Sequence, residues 1–285
     1  MRMPQSQTVR RSVIAGRWYP GTRQSLTHMI DDYLSHVEQP LVPGELIGLI
    51  SPHAGYAYSG QTAAYAYHQL EGQQVDTVVL IGPSHRAWVG DYAVNTEDAF
   101  ETPLGLVPLD REFIADLDAL VGLQAVYNDA EHSLEIQLPF LQRQLGDLSL
   151  VPIMMSSDDP AVARRLAAAL VEVISQRAGR GERVLLAASS DLHHIENYAE
   201  VARRDQAVID ALTAYDLETL TALFMDPRCS VCGRIPILSV LHASKALGAG
   251  AARVLYHTNS GDVTGQRGRG QYTVGYMAAA VYRSR

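Results

Sequence analysis

The chain has 285 residues, of which 47% are hydrophobic and 19% are charged, and this composition excludes a disordered protein because disordered chains are poor in apolar residues. Its two cysteines, Cys229 and Cys232, lie so close together along the chain that they exclude a scaffold stapled by disulfides. The net charge of −8 argues against nucleic acid as a partner, since nucleic-acid-binding domains usually carry a basic patch.

Two further features of the sequence predict the compartment. No stretch approaches the roughly 20 apolar residues that a membrane span needs, so we expect no membrane association. Residues 1–16 contain basic side chains without an apolar run and do not resemble a secretory signal. With so few cysteines, we expect a cytoplasmic protein in a reducing environment. We also expect residues 1–10 to form a flexible N-terminal extension.

Apolar runs of strand length alternate with segments of helical spacing along the chain. After an N-terminal helix and a break at 39–44, the patterns predict in order a strand at 46–52, a helix at 60–70, a strand at 76–85, an irregular stretch, a helix at 133–145, a strand at 148–155, a helix at 160–175, a strand at 182–191, helices at 198–212, 216–224 and 234–247, a strand at 252–261, a flexible connection within 260–270 and a strand at 271–283. Continuous apolar strands between helices are typical of strands covered on both faces. The sequence therefore predicts one layered α/β domain over 1–285, with a central mostly parallel or mixed sheet flanked by helices.

Histidines follow the ends of several predicted strands. His53 follows the first strand and His85 the second, while Asp191, His193 and His194 follow the strand that begins at 182. In open α/β sheets, ligands bind outside the carboxyl ends of the strands. A single histidine in such a place is usually an ordinary loop residue, but four on one rim favour a site. Two neutral imidazoles that converge supply half of a transition-metal site, and the remaining ligand would be Asp, Glu or Cys.

The pair Cys229 and Cys232 allows three interpretations. It could be a redox dithiol, although the pair does not open a helix after an early strand, or half of a structural zinc site, although no second C-x-x-C is present. Alternatively, one cysteine ligates a metal as a thiolate while the other is incidental. The spacing does not decide which cysteine this would be.

The segment 128–142 carries Glu131, His132 and Glu135 around Ser133. A serine followed by acidic side chains is typical of a helix start, which is the structural interpretation of this segment. In the functional interpretation, His132 points into the same pocket as the other histidines.

Seven separated motifs resemble the Memo family, whose bacterial and archaeal members are often called AmmeMemoRadiSam system protein B. They are GRWYPG (16–21), SPHAGYAYSG (51–60), IGPSH (81–85), EHSLEIQLPFLQ (131–142), SSDLHH (189–194), CGRIPI (232–237) and NSGDVTG (259–265). The resemblance runs in order from about residue 11 to 282. It implies a fold similar to that of class III extradiol dioxygenases of the LigB type, which are non-haem iron enzymes that open catechol rings.

The resemblance also implies a set of site residues. The metal ligands of Memo proteins fall on His53, His85 and Cys232, whereas Cys229 has no counterpart in the family pattern. The acid/base histidine falls on His194, which leaves His193 as its neighbour. A thiolate then stands where the dioxygenases carry a carboxylate, so ring-cleaving activity does not carry over automatically.

We therefore hypothesise a mononuclear site that holds iron as Fe2+, with copper or zinc as alternatives that the thiolate would also suit. His194 would transfer protons to or from the bound ligand, and Asp191 would orient His194 or a metal-bound water. The residues expected to wall the pocket are Trp18, Tyr19, Tyr58, His132 and His193.

Three classes of function follow from this hypothesis. The first is an oxygen-dependent or redox metalloenzyme, a dioxygenase-like oxidoreductase acting on an unidentified small molecule. The second is a metal-stabilised module that binds a peptide or protein without turnover, and the third is a zinc hydrolase. The family name further implies a functional association with an AMMECR1-like protein and a radical-SAM protein, while nothing in the sequence indicates an oligomeric state.

Overall fold

The computed structural model describes residues 7–284, which form strands and helices in alternation over most of the chain. The strands are β1 (Val9–Arg10), β2 (Gly44–Ser51), β3 (Thr77–Pro83), β4 (Ala93–Asn95), β5 (Ala99–Thr102), β6 (Gly105–Pro108), β7 (Gln124–Val126), β8 (Ser149–Met155), β9 (Val184–Ser189), β10 (His194–Asn197), β11 (Ala251–Asn259) and β12 (Arg269–Ser284). The helices are α1 (Arg23–Ser35), α2 (Tyr56–His68), α3 (Arg111–Val121), α4 (Leu138–Leu145), α5 (Pro160–Gly179), α6 (Tyr198–Thr213), α7 (Leu217–Phe224), α8 (Arg234–Ala246) and α9 (Ser260–Thr264).

One large mixed sheet organises the domain. Its path is β10-β12-β2-β9-β3-β8-β4-β7, and β11 pairs with β12 off that path. The central strands β2, β9, β3 and β8 run parallel, whereas β12 joins β2 antiparallel and carries the antiparallel strands β10 and β11. The predicted single α/β domain with a mixed sheet flanked by helices is confirmed, and it is consistent with the LigB-like fold that the resemblance implies.

The apolar runs seen in the sequence form the centre of this sheet. Every residue of β3 is buried, as expected for a parallel strand covered on both faces. Helix α8 packs on β9, β2 and β3, while α2 packs on β12, β11 and β2. Within the described part of the chain, no helix has both the length and the hydrophobicity that crossing a membrane requires.

The stretch between 86 and 132, expected to be irregular, contains short elements. Strands β4 to β7 and helix α3 lie within it, and β5 and β6 join β1 in a separate three-stranded sheet. Strands of three or four residues are too short to show a period in the sequence. The expected flexible connection within 260–270 is also partly ordered, because Asn259 caps the short helix α9 by accepting the N–H of Asp262.

The N-terminal expectation needs a correction. Residues 1–6 of the predicted extension lie outside the described residues, but Val9 and Arg10 form β1, which pairs in parallel with β5. The guanidinium of Arg10 is only 1% exposed and forms ion pairs of 2.9 Å with Asp129 and 2.7 Å with Glu135. This buried cation fixes β1 onto the domain.

We predict that Arg10→Met lowers the free energy of unfolding by about 3–5 kcal/mol, because it leaves two carboxylates without their buried cation. The matched control is Arg11→Met, since Arg11 pairs with Glu101 at the exposed surface and its loss costs no more than about 1 kcal/mol. Urea unfolding of the three proteins measures both values. Equal effects of the two variants would contradict the role given to Arg10.

Candidate functional site

Three neighbouring parallel strands end at one edge of the sheet, and the turns that follow them carry three of the predicted site residues. His53, His85 and Asp191 each lie two residues beyond the end of a strand, namely β2, β3 and β9. Because β9 lies between β2 and β3 and all three run in the same direction, the turns that follow them are adjacent in space. The sheet order therefore brings together residues that are far apart in the sequence.

His53, His85 and Cys232 converge at this edge. One ligand atom from each of the three lies within 4.8 Å of the others, and the Cys232 Sγ is 3.1 Å from His53 Nε2. Cys232 stands in the turn before α8, where the Gly233 N–H donates to Ser190 Oγ. A Cβ at Gly233 would lie 2.5 Å from the Ser189 carbonyl oxygen, so a glycine is required for this close approach.

Ser189 fixes the orientation and the tautomer of His53. The Ser189 hydroxyl donates its only proton to the Ser133 carbonyl at 2.6 Å and accepts from Gln137 Nε2 at 2.8 Å. It can therefore only accept from His53 Nδ1, which lies 3.0 Å away. The proton of His53 is then on Nδ1, and the lone pair of Nε2 faces Cys232. Burial, together with the neighbouring His85 and His132, holds the pKa of His53 well below its usual range.

Glu131 fixes the orientation of His85, as Ser189 does for His53. Its carboxylate lies 3.0 Å from His85 Nδ1 and also accepts the backbone N–H groups of His85, His132 and Ser133. A carboxylate can only accept, so Nδ1 of His85 donates the hydrogen bond, and in the neutral ring the lone pair is on Nε2. Burial alone would raise the pKa of Glu131, but the hydrogen bonds from His85 and from the backbone hold it far below its usual range.

Asp191 positions the turn that carries His53. Its Oδ1 accepts the backbone N–H of His53 at 2.8 Å and that of Ala54 at 3.2 Å. Burial raises the pKa of Asp191 to about 6, against the opposing effects of His194 and these two N–H groups. The hydrogen bonds of its carboxylate among the described residues go to the turn after β2. They do not include His194, whereas Asp191 was expected to orient either His194 or a metal-bound water.

His194 takes its orientation from Ser230 instead. The Nδ1 of His194 lies 3.0 Å from the Ser230 carbonyl oxygen, and its backbone N–H donates to Ser230 Oγ at 2.9 Å. A carbonyl oxygen only accepts, so Nδ1 of His194 donates, and the neutral ring has the same tautomer as His53 and His85, with the lone pair on Nε2.

His53, His85, Asp191 and His194 line one cavity of about 440 Å³. Its lining comprises Arg17, Trp18, His53, Ala54, Gly55, Ala57, Tyr58, His85, His132, Asp191 and His194. The ring of His132 stacks on His85 at 4.7 Å and lies 4.3 Å from Trp18, and burial lowers the pKa of His132 to about 4. The structure thus places Trp18, Tyr58 and His132 at the cavity, as the sequence predicted.

Two predicted pocket residues lie elsewhere. The Tyr19 hydroxyl donates to Glu135 Oε1 at 2.9 Å and is buried behind the cavity wall. The ring of His193 bonds to Asp205, away from His194, because successive side chains of an extended segment point to opposite sides.

Glu131 has a role at the site that the sequence pattern alone does not reveal. A second group of possible donors, formed by His85, Glu131 and His132, exists at this point. Because four N–H groups already bind the Glu131 carboxylate, we assign Glu131 to orienting His85. Its place directly before His132 in the EHSLEIQLPFLQ motif was the signal available in the sequence.

The chain is similar to proteins of one family over nearly its whole length. The family model described as Memo-like protein matches residues 10–280. A MEMO1 family protein of Nitrosopumilus maritimus is 33% identical over 281 residues, covering 95% of this chain and 98% of the relative. Similar proteins of the same description occur in Methanosarcina mazei, 35% identical over 96% of this chain and 99% of the relative, and in Aeropyrum pernix, 35% identical with the same coverage.

We predict that Ser189→Ala lowers the free energy of unfolding by about 2–3 kcal/mol, since it leaves the buried groups of His53, Gln137 and Ser133 unsatisfied. The control is Ser51→Ala on the neighbouring strand, because Ser51 pairs in register with Ser189 and its buried Oγ has no hydrogen-bond partner among the described residues. That variant should change stability by no more than about 0.5 kcal/mol. Chemical unfolding in the presence of EDTA measures both, and a costlier Ser51→Ala would refute the assignment.

Proposed function

The chain belongs to the Memo-like family, and we propose that it is a metalloenzyme in which His53, His85 and Cys232 hold one iron ion for redox chemistry on a small molecule. The observation that carries the proposal is the common tautomer of the two histidines. Ser189 and Glu131 each accept a hydrogen bond from an Nδ1–H group, so in the neutral rings two Nε2 lone pairs lie beside the Cys232 sulfur. Metal-ligating histidines are characteristically held by such hydrogen bonds on the other ring nitrogen.

The donor set fits a first-row transition metal. Two imidazole nitrogens and a sulfur within 4.8 Å of one another suit iron, copper or zinc and would not suit magnesium or calcium, which prefer oxygen. Iron is favoured by the resemblance to non-haem iron dioxygenases, which also bind their metal through three protein ligands. Burial beside Asp191 raises the pKa of the Cys232 thiol, and coordination to a metal is what deprotonates such a thiol.

The cavity fits a small organic substrate. Its volume of about 440 Å³ lies in the range of small-molecule sites, and its wall combines the aromatic rings of Trp18 and Tyr58 with the cation of Arg17. A bound iron ion would supply a Lewis acid with open coordination positions and a redox couple. The protein contributes the shape of the cavity and the fixed direction of the imidazoles.

His194 is the proposed acid/base group. It lines the cavity, its Nδ1 is held by the Ser230 carbonyl, and its Nε2 is free to accept or return a proton. Asp191 contributes indirectly, because it fixes the backbone of the turn that carries His53. Zinc in the same place would favour the hydrolase alternative, so the identity of the metal separates the two chemistries.

The two cysteines provide a matched test of the ligand set. We predict that the protein purified without added metal contains iron near one equivalent per chain, and that Cys232→Ser reduces this content at least 10-fold. Cys229→Ser should leave it unchanged, because the Cys229 sulfur is not part of the donor group. Elemental analysis after gel filtration measures the content, and equal loss in both variants would sink the assignment.

His194→Gln separates metal binding from turnover. We expect the variant to retain its metal while the rate of oxygen consumption with the best substrate from a panel of catechols and other small aromatics falls by roughly 10²–10⁴-fold. An oxygen electrode gives the rates and elemental analysis the metal content. Absence of turnover in the iron-loaded wild-type protein with every compound would reject the redox enzyme in favour of the metal-stabilised binding module.

A further inference from the structure

A second cluster of reactive side chains lies behind the candidate metal site. His193 and His194 are adjacent, but their rings face opposite sides of the segment, and the two cysteines divide in the same way. The Cys232 sulfur faces His53, whereas Cys229 lines a second cavity together with His193. The C-x-x-C pair is therefore split between two sites, which argues against a dithiol that acts as one unit.

Cys229 and His193 line the same cavity, and His193 in turn contacts Asp205. The Nδ1 of His193 lies 2.8 Å from Asp205 Oδ1, and the same carboxylate oxygen accepts the backbone N–H of His193 at 3.1 Å. Asp205 is fully buried on α6, and a Cβ at Gly275 would lie 1.8 Å from its Oδ2, so the glycine makes room for it. A nucleophile, a histidine and an orienting carboxylate in this order are typical of an activated thiol.

The electrostatics of the cluster favour its ionised form. Burial lowers the pKa of His193, but the hydrogen bond with Asp205 and the influence of the nearby Cys229 outweigh it and raise the value to about 9. Burial raises the pKa of Cys229, but the nearby His193 and the Val231 N–H outweigh it, so the pKa lies below that of an ordinary thiol. A thiolate beside an imidazolium is the reactive form of cysteine.

Cys229 opens onto a separate cavity of about 120 Å³. The charged side chains lining it are Arg203, Arg204, Arg228 and Asp226, and the rest of the wall includes His193, Ala207, Val208 and Leu223. Asp226 pairs with Arg228, and Glu200, outside the cavity, pairs with Arg203 and Arg204. Three guanidinium groups against two carboxylates leave the mouth of the cavity positive.

We propose that Cys229 is a reactive thiol that exchanges with small disulfides bearing carboxylate groups, forming a mixed disulfide at this second cavity. The thiolate sulfur attacks one sulfur of the disulfide, a new S–S bond forms, and the original S–S bond breaks. The departing sulfur keeps the bonding electron pair and takes the proton of His193. Cys229 is thereby oxidised, and half of the small disulfide leaves reduced as a thiol.

The arrangement of the cavity accounts for this choice of partner. Attack on a disulfide requires only that one sulfur reach Cys229, which a cavity of this size permits, while the carboxylates remain at the arginine-lined mouth. A positively charged mouth raises the local concentration of anionic reagents. This site does not depend on the metal site, because none of its residues belongs to the metal donor group.

The test compares the whole protein with the hexapeptide of residues 226–231, which contains Cys229 as its only cysteine. Both react at pH 7 with glutathione disulfide, which is anionic, or with cystamine, which is cationic. Peptide mapping by mass spectrometry follows the adduct at each cysteine. We expect Cys229 in the protein to react with glutathione disulfide about 10-fold faster than in the peptide, and its preference for this reagent over cystamine to exceed that of the peptide about 10-fold.

Two variants assign the effect to residues. His193→Gln should reduce the rate to that of the peptide, and Arg228→Ala at the exposed rim should reduce the preference for glutathione disulfide while sparing the rate with cystamine. Circular dichroism checks folding, and the comparison of wild-type protein with peptide decides the question even if His193→Gln fails to fold. An adduct found mainly on Cys232, or rates and preferences equal to those of the peptide, would overturn the proposal.

Discussion

Two buried carboxylates, Asp191 and Glu131, hold the turns on which the candidate metal site depends. Each takes its hydrogen bonds largely from backbone N–H groups, Asp191 from the turn after β2 and Glu131 from the turn after β3 and from its own segment. A buried carboxylate is costly unless such bonds satisfy it, so these turns have few alternative arrangements. The directions of His53 and His85 are therefore set before any ligand binds, which is the condition for a preorganised site.

Two short segments of the chain each contribute one residue to the candidate metal site and one to the site of Cys229. The segment that follows β9 supplies His194 to one cavity and His193 to the other, and the turn before α8 places Cys232 beside His53 and Cys229 at the second cavity. Alternation of side chains along an extended segment is sufficient to separate His193 from His194. The surroundings then differ, because Cys232 lies beside the carboxylate of Asp191 and Cys229 lies beside the imidazole of His193.

The central sheet was predictable from the sequence because long, continuously apolar strands produce a strong local pattern. His53, His85 and Asp191 were predictable for a related reason, since strand order alone places the ends of parallel strands together. The strands between 86 and 132 were missed because they are short, and the burial of Arg10 was missed because its partners are more than a hundred residues away. Alternation predicts that His193 and His194 point to opposite sides, but which of the two faces the candidate metal site depends on tertiary packing, which a local sequence pattern does not predict.

The most direct measurement of the central proposal is a crystal structure of the protein with anomalous data collected on both sides of the iron absorption edge. The proposal predicts one anomalous peak bound by His53 Nε2, His85 Nε2 and Cys232 Sγ. It also predicts that the peak vanishes below the edge. A peak bound elsewhere, or one without the Cys232 sulfur among its ligands, would contradict the proposal.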